Sequence, residues 1–180
     1  MRPDIHILNG TVLRDRDLAG VIRTAGEIFD AQVMVRATEL DLQEAYDPSR
    51  NQTNSTALLA QVLKSAPDGP TKRIAVVDVD LFIPVLTFVF GEAQLDGTAA
   101  VVSTHRLDNR FYGMPGDAAL TVRRLEKEIV HELGHTFGLY HCHQFECVMR
   151  SSTYVEEIDM KRVLPCPACS SSIAAYAPAR

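Results

Sequence analysis

The sequence contains no long uninterrupted hydrophobic run. Its longest largely apolar stretch, residues 81–90, is interrupted by Pro84 and Thr87. A helix that crosses a bilayer needs about 20 consecutive apolar residues, so we expect no membrane-spanning segment. The first residues also lack an apolar run followed by small residues. We therefore expect no secretory signal peptide.

Blocks of like charge are missing as well. The chain has 18 basic and 23 acidic residues, which are interspersed and give a formal net charge of −5. Proteins that bind nucleic acid usually carry a basic patch, so nucleic acid is not an expected partner. With 180 residues, 46% of them hydrophobic and 23% charged, the chain is predicted to form one globular domain with an ordinary core.

Cysteine is absent from the first 141 residues, and the four cysteines all lie in the last quarter of the chain, at Cys142, Cys147, Cys166 and Cys169. A small secreted disulfide scaffold would be denser in cysteine. A Cys-x-x-Cys pair with two further cysteines nearby indicates a metal site in an intracellular chain, and we predict a cytoplasmic protein. Two disulfides or free buried thiols remain as alternatives.

The hydrophobic pattern predicts an α/β (α+β) fold with a mixed, twisted sheet and an antiparallel edge strand. Strands are predicted at residues 4–8, 32–37, 73–80 and 97–104, with a further extended segment at 86–92. Helices are predicted at residues 17–29 with Asp17 as N-cap, from Asn54 and Ser55 to a stop at residues 67–70, and from Asp117 toward Gly138. Shorter helical segments are expected at residues 155–163 and after Cys166. The turn signal at Asp96 and Gly97 predicts a hairpin, with residues 97–104 at the edge of the sheet.

The candidate catalytic and metal-binding residues lie in one segment. It is the motif His-Glu-x-x-His-x-x-Gly-x-x-His, which begins at His131. Residues four apart share one face of a helix, so His131 and His135 can bind the same metal ion. Gly138 can take a positive φ and reverse the chain, which brings His141 in as a third ligand. Three protein ligands leave one position open, as in catalytic zinc sites. Glu132 can reach water at the metal without being a ligand.

The four cysteines form the second candidate metal site. Four residues separate Cys142 from Cys147, and two separate Cys166 from Cys169. Four thiolates at such spacing suit a closed tetrahedral zinc site, which would stabilise a region with little regular structure. His143 lies close in sequence to both candidate sites. It can replace a ligand at either metal, contact a ligand without binding the metal, or be exposed.

Together the histidine motif, Cys142, the segment Cys147-Val148-Met149 and the last cysteine pair resemble the archaemetzincin family of metzincin-type zinc peptidases. The resemblance covers 39 residues, from His131 to Cys169. It implies a compact metzincin-like fold with two zinc ions per chain, one catalytic and one structural. It also implies that Met149 forms the Met-turn beneath the catalytic zinc, although the sequence alone indicates only a core methionine.

Two further expectations follow from the resemblance. One peptidase domain is expected over residues 1–180, with an N-terminal subdomain at 1–138 that includes the active-site helix and a zinc-stapled subdomain at 139–180. The sequence departs from the family after Met149, where residues 150–154 replace a Phe-Ser-Asn-Ser-like run. Tyr154 is therefore expected on the surface or in packing rather than as a hydrogen-bond donor to the reacting oxygen.

The predicted function is zinc-dependent hydrolysis of peptide bonds, with Glu132 as general base and then general acid. We expect a peptide substrate to lie extended along the edge strand near residues 99–103, and a monomer is favoured. The alternative is a two-zinc module that binds a peptide or protein without cutting it. Glu132 argues against this alternative, because a pure scaffold has no need of a carboxylate at that position.

Overall fold

A central five-stranded sheet organises the molecule, in a computed structural model that describes residues 3–38, 40–65 and 71–176. Its strands lie in the order β2-β1-β5-β8-β7. These are β1 (Ile5–Asn9), β2 (Val33–Ala37), β5 (Lys72–Val77), β7 (Gly91–Ala93) and β8 (Ala99–Ser103). All neighbours are parallel except β7 and β8, which pair antiparallel. The predicted α/β class and the mixed sheet are confirmed.

A smaller three-stranded sheet, in the order β3-β4-β6, lies beside the central one. Its strands are β3 (Tyr46–Asp47), β4 (Gln52–Asn54) and β6 (Leu81–Phe82). In the described residues, five helices accompany the sheets: α1 (Asp15–Phe29), α2 (Ser55–Lys64), α3 (Ala118–Thr136), α4 (Val155–Met160) and α5 (Pro167–Ala175). Two short 3-10 helices, His105–Leu107 and Asn109–Tyr112, connect β8 to α3. None of the described helices is both long and apolar enough to cross a membrane.

The two faces of the sheet carry separate hydrophobic clusters. Side chains alternate across a strand, and on β5 Ile74 and Val76 pack with the cluster that contains α1 and α3. Ala75 and Val77 point the other way, into the cluster that contains α2. Every residue of β5 and β8 is buried. The long helix α3 packs against β5, β8 and β7, the half of the sheet that ends at the β7 edge.

Local signals predicted two helix starts and missed a third. Asn54 caps α2 by accepting from the backbone N–H of Ala57 at 3.2 Å, and Asp117 caps α3 by accepting from that of Leu120 at 2.9 Å. The assignment of Asp17 as the N-cap of α1 is wrong, because α1 begins at Asp15. Asp17 is instead the third helical residue and accepts from the backbone N–H of Arg14 at 2.9 Å. This is one half of a capping box, because the Arg14 side chain has no acceptor for the reciprocal bond. The expected helix stop at residues 67–70 lies outside the described residues.

The hairpin predicted from Asp96 and Gly97 is present, but the edge was assigned to the wrong strand. Asp96 has a positive φ of 52° in the turn between β7 and β8. β8 pairs with β5 on one side and with β7 on the other, so residues 99–103 are interior. The antiparallel edge strand is β7. Of the expected extended segment 86–92, only residues 91 and 92 lie in the central sheet, and Ala93 extends the strand by one residue.

Candidate active site

The histidine motif lies at the C-terminal end of α3. His131 is 5% exposed, and its imidazole lies one helical turn from that of His135, with 3.1 Å between the two Nε2 atoms. Their rings meet edge to face, with centroids 4.7 Å apart. The i,i+4 spacing therefore places both nitrogens at one point on the helix surface, as the sequence predicted.

A glycine turn brings the third histidine to the same point. Gly138 has a φ of +81°, in the left-handed region that favours glycine at a helix end. The Gly138 N–H donates to the His135 carbonyl at 2.9 Å, and the Leu139 N–H donates to the Gly134 carbonyl at 3.0 Å. The ring of His141 then lies 5.3 Å from that of His131 and 4.9 Å from that of His135. One nitrogen from each of the three residues lies within 4.8 Å of the others.

Backbone carbonyls fix the orientation of two of these rings. Nδ1 of His131 donates to the Val148 carbonyl at 2.8 Å, and Nδ1 of His135 donates to the Leu139 carbonyl at 2.7 Å. These bonds place the proton on Nδ1 and leave Nε2 as an acceptor. Burial also lowers the pKa of both imidazoles, which favours the neutral form that binds metals.

The three histidines fit a zinc ion. Two unprotonated Nε2 atoms that face each other at 3.1 Å repel unless a cation lies between them. Two nitrogens of a tetrahedral zinc with Zn–N distances near 2.05 Å are about 3.3 Å apart, close to the separation seen here.

Glu132 lies in the same cleft, next to the edge strand. Its side chain is buried, and burial raises the pKa of its carboxyl group well above the ordinary value, with Glu128 and Glu92 adding to the rise. Gly91 makes room for this carboxylate, because a Cβ at Gly91 would lie 2.7 Å from Glu132 Oε1. Gly91 is not among the site residues that the sequence predicted. A glycine within an extended segment is the signal that could have identified it, since such a glycine often marks a close approach.

The four cysteines also converge. Their sulfur atoms all lie within 4.8 Å of one another, with 3.8 Å from Cys142 to Cys166 and 3.8 Å from Cys147 to Cys169. Disulfide sulfurs are about 2.05 Å apart, so these residues are thiols and the disulfide alternative is excluded. A tetrahedral ZnS₄ site with Zn–S distances near 2.3 Å has sulfurs about 3.8 Å apart. The arrangement therefore fits a closed zinc site.

Hydrogen bonds within this cluster favour thiolates at some positions. The backbone N–H of Cys169 bonds to the sulfur of Cys166 and is the main reason that the pKa of Cys166 falls to about 7. Burial raises the pKa of Cys147 and of Cys169. A cation would offset this cost, because thiolates that bind a metal are held deprotonated.

Met149 packs against the motif helix at Gly134. It is fully buried, and a Cβ at Gly134, in the middle of the motif helix, would lie 2.4 Å from its sulfur. The carbonyl of Met149 accepts from the N–H of Cys142 at 2.9 Å. This bond ties the Met149 turn to the segment that carries His141.

Two residues that the sequence left open lie on the surface. His143 is exposed and belongs to neither group of converging ligands among the described residues. Tyr154 is 66% exposed and precedes α4 as its N-cap residue. The expectation of a surface position for Tyr154 is met.

The histidines and Glu132 open into a cleft of about 590 Å³. One wall is β7 with the segment before it, and this wall is mostly apolar, with Leu86, Phe88 and Phe90 in the lining. Ser151, Ser152 and Thr153 also line the cleft. The cleft thus combines three converging histidines, a carboxyl group and a sheet edge in one open groove.

Comparison with known proteins agrees with this geometry. The family model described as "Peptidase family M54" matches residues 43–175. The archaemetzincin of Methanocaldococcus jannaschii is 36% identical over 157 residues, which cover 87% of this chain and 85% of that protein.

Solved structures give the same result. The archaemetzincin of Methanopyrus kandleri superposes with a TM-score of 0.84 at 29% identity, covering 97% of this chain and 95% of that one. The zinc-dependent peptidase of Methanocorpusculum labreanum superposes with a TM-score of 0.82 at 29% identity, covering 94% and 99%. The similarity spans almost the whole fold, beyond the motif that first suggested it. The chain therefore belongs to peptidase family M54, the archaemetzincins, and is a zinc metallopeptidase.

Proposed function

We propose that the chain hydrolyses peptide bonds at a zinc ion held by His131, His135 and His141, with Glu132 as general base and then general acid. The observation that carries this proposal is the position of the Glu132 carboxylate, which lines the same cleft as the three converging histidines. When bound, zinc supplies the Lewis acidity that activates water and polarises the scissile carbonyl.

Glu132 performs the proton transfers in this proposal. Burial favours the protonated form of Glu132, and the positive charge of a bound zinc would offset this. The carboxylate then takes the proton of the attacking water and later returns it to the leaving amine. The surrounding residues restrict where the carboxylate can go, because Gly91 lies against its oxygen and its α3 backbone is fixed in the core. A base held in one place acts without the cost of reorientation.

The substrate binds along β7 rather than along residues 99–103. In an antiparallel pair, alternate residues bond to the partner strand. The Phe90 carbonyl accepts from the N–H of Ser103 at 2.9 Å, and the Gln94 N–H donates to the Ala99 carbonyl at 3.0 Å. The main-chain groups of Gly91 and Ala93, which lie between them, therefore face the open side of the strand. An extended peptide in the cleft can pair with these groups as an added strand.

The second proposed zinc, at Cys142, Cys147, Cys166 and Cys169, is structural. Its ligands alternate between half-buried and buried positions and offer no open coordination site for a substrate. Cys142 directly follows His141, and Cys147 lies two residues before Met149. A metal at the cysteines therefore fixes the third histidine and the floor of the catalytic site together.

Cleavage of a mixed peptide library by zinc-loaded protein, with Glu132→Gln in parallel, tests the proposal. The substitution keeps the shape of the side chain but removes the base, so we expect cleavage by the wild type and at least a 10²-fold lower rate in the variant. Glu126→Gln, on the same helix but outside the cleft, serves as the matched control and should cleave at the wild-type rate.

Metal analysis completes the experiment. Both variants should bind two zinc ions per chain, because neither glutamate is a proposed ligand. Binding of library peptides without cleavage by either the wild type or Glu132→Gln would overturn the proposal in favour of a two-zinc binding module. Equal cleavage by the wild type and Glu132→Gln would overturn the role of Glu132.

A further inference from the structure

Lys161 is a buried lysine that the reaction described above does not use. It follows α4, and its side chain is 1% exposed. Its ammonium donates to the Arg150 carbonyl at 2.8 Å and lies 3.4 Å from both the Val148 carbonyl and Glu128 Oε1. Burying an ammonium group costs free energy unless its donors find acceptors. The contacts of Lys161 therefore indicate which parts of the fold the side chain holds together.

The three acceptors of Lys161 belong to two different elements. Glu128 lies on α3, one turn before Glu132 and three residues before His131. Val148 and Arg150 flank Met149 in the turn that packs against α3 at Gly134. The ammonium therefore bridges the active-site helix and the Met149 turn, two segments that are otherwise far apart in the sequence.

One of these acceptors also holds a proposed metal ligand. The Val148 carbonyl accepts from Nδ1 of His131 at 2.8 Å, so the same oxygen faces the lysine ammonium and the imidazole. A carbonyl that is fixed in place fixes the rotation of the imidazole, and with it the direction of Nε2.

Glu128 supplies the opposite charge. Its side chain is 4% exposed, and burial raises the pKa of its carboxyl group while Lys161 opposes the rise. Opposite charges in a dry site attract strongly, but their separation is fixed only when further hydrogen bonds hold them. Here the Arg150 carbonyl provides that bond, at 2.8 Å.

We propose that Lys161 is a positioning residue for the histidine metal site: it holds the Val148–Arg150 turn against α3, so that the Val148 carbonyl aims Nε2 of His131 at the metal. The inference rests on the proposed function in one respect, the role of His131 as a ligand. It assigns no contact between Lys161 and the substrate.

The test measures metal affinity rather than cleavage. Co²⁺ is titrated into the metal-free full-length chain, because thiolate and imidazole sites differ in their visible absorption and report separately. Replacing Lys161 by Met removes the donors but keeps a chain of similar length. We expect the histidine site of Lys161→Met to bind Co²⁺ about 10–100-fold more weakly than that of the wild type. This is the usual loss when a group that orients a metal ligand is removed. The affinity of the cysteine site should stay within about twofold of the wild type.

Lys127→Met is the matched control. Lys127 also lies on the interface of α3 with α4, where its ammonium donates to the Ile158 and Asp159 carbonyls at 2.9 and 3.0 Å. It makes no contact with the Met149 turn in the described hydrogen bonds. We expect its histidine site to bind Co²⁺ as the wild type does, whereas Lys161→Arg should recover part of the loss.

The ratio of the two affinities separates positioning from general stability. Cys147 lies next to Val148, so a variant that merely loosens this part of the chain weakens both sites together. A parallel loss at both sites, or an unchanged histidine site in Lys161→Met, would overturn the inference. If Lys161→Met does not fold, Glu128→Gln takes its place, with a selective loss at the histidine site expected and an unchanged site contradicting the inference. A wild-type histidine site that binds no Co²⁺ would instead count against the proposed function.

Discussion

Replacing Gly91 by alanine is expected to inactivate the enzyme without removing any functional group. A Cβ at this position would lie 2.7 Å from Glu132 Oε1, 2.8 Å from Glu132 Cγ and 2.7 Å from the Val101 carbonyl oxygen. Carbon atoms in ordinary contact are about 3.5–4.0 Å apart, so at least one neighbour must move by more than about 0.7 Å.

The neighbours differ in how far they can move. The Val101 carbonyl belongs to β8, which is hydrogen-bonded on both sides and fully buried. The Glu132 side chain is the more mobile of the two, so the carboxylate should be displaced from its position in the cleft. Overpacking of this kind costs about 1–3 kcal/mol of stability. A displaced base forfeits most of the rate factor of about 10²–10⁴ that general base catalysis contributes.

Gly20→Ala is the matched control for this substitution. Gly20 lies within α1, where the nearest atom to an added Cβ is Glu126 Oε1 at 3.9 Å. Alanine is a better helix former than glycine, so this variant should be about 1 kcal/mol more stable than the wild type. The same added methyl group is thus expected to have opposite effects at the two positions.

The assay combines urea unfolding with kcat/KM for a peptide selected from the library. We expect Gly91→Ala to unfold at lower urea concentration, to retain its zinc and to lose at least about 10²-fold in kcat/KM. Wild-type kcat/KM in Gly91→Ala, together with a free energy of unfolding within about 0.5 kcal/mol of the wild type, would refute the reasoning.

Three further perturbations have defined outcomes. Arg124 donates to both carboxylate oxygens of Asp159 at 2.8 and 2.7 Å and to the Leu107 carbonyl at 2.7 Å. Lysine cannot form this forked set of bonds, so Arg124→Lys should lower the free energy of unfolding in urea by about 2 kcal/mol. A loss below about 0.5 kcal/mol would contradict this prediction. Burial lowers the pKa of Lys72 from 10.5 to about 8, so between these pH values the unfolded chain binds a proton that the folded chain does not. The free energy of unfolding of the wild type, measured relative to that of Lys72→Met, should therefore rise from pH 7 to 10. A flat or falling difference would count against this prediction. Cys147→Ser should lower the free energy of unfolding of the zinc-loaded chain by at least about 2 kcal/mol, because metal binding at the cysteines is folding energy; an unchanged urea midpoint would exclude a structural metal there.

The parts of the site that the sequence predicted are those fixed by short spacing. His131 and His135 share a helix face whatever the rest of the fold does, and Gly138 explains the turn to His141 within three residues. The convergence of the cysteines followed from ligand number and chemistry. These predictions needed no knowledge of strand order.

Long-range pairing decided the rest. The turn at Asp96 and Gly97 correctly indicated a hairpin, but whether its second strand is interior depends on pairing between β5 and β8, and no local signal records that. The role of Lys161 depends on Glu128, 33 residues earlier in the chain. A charged residue between α4 and a cysteine pair has no local feature that marks it as buried. The sequence therefore predicted which side chains converge and missed the residues that support them.

The short edge strand β7 also limits how another molecule can pair with this side of the sheet. An unpaired strand edge is a template on which another chain can pair, and long, flat edges lead to aggregation. β7 has only three residues, and it lies in the wall of a groove rather than on a flat face. Another strand can therefore pair with only a short stretch of this edge. The shortness of β7 thus limits edge-to-edge association on this side of the sheet.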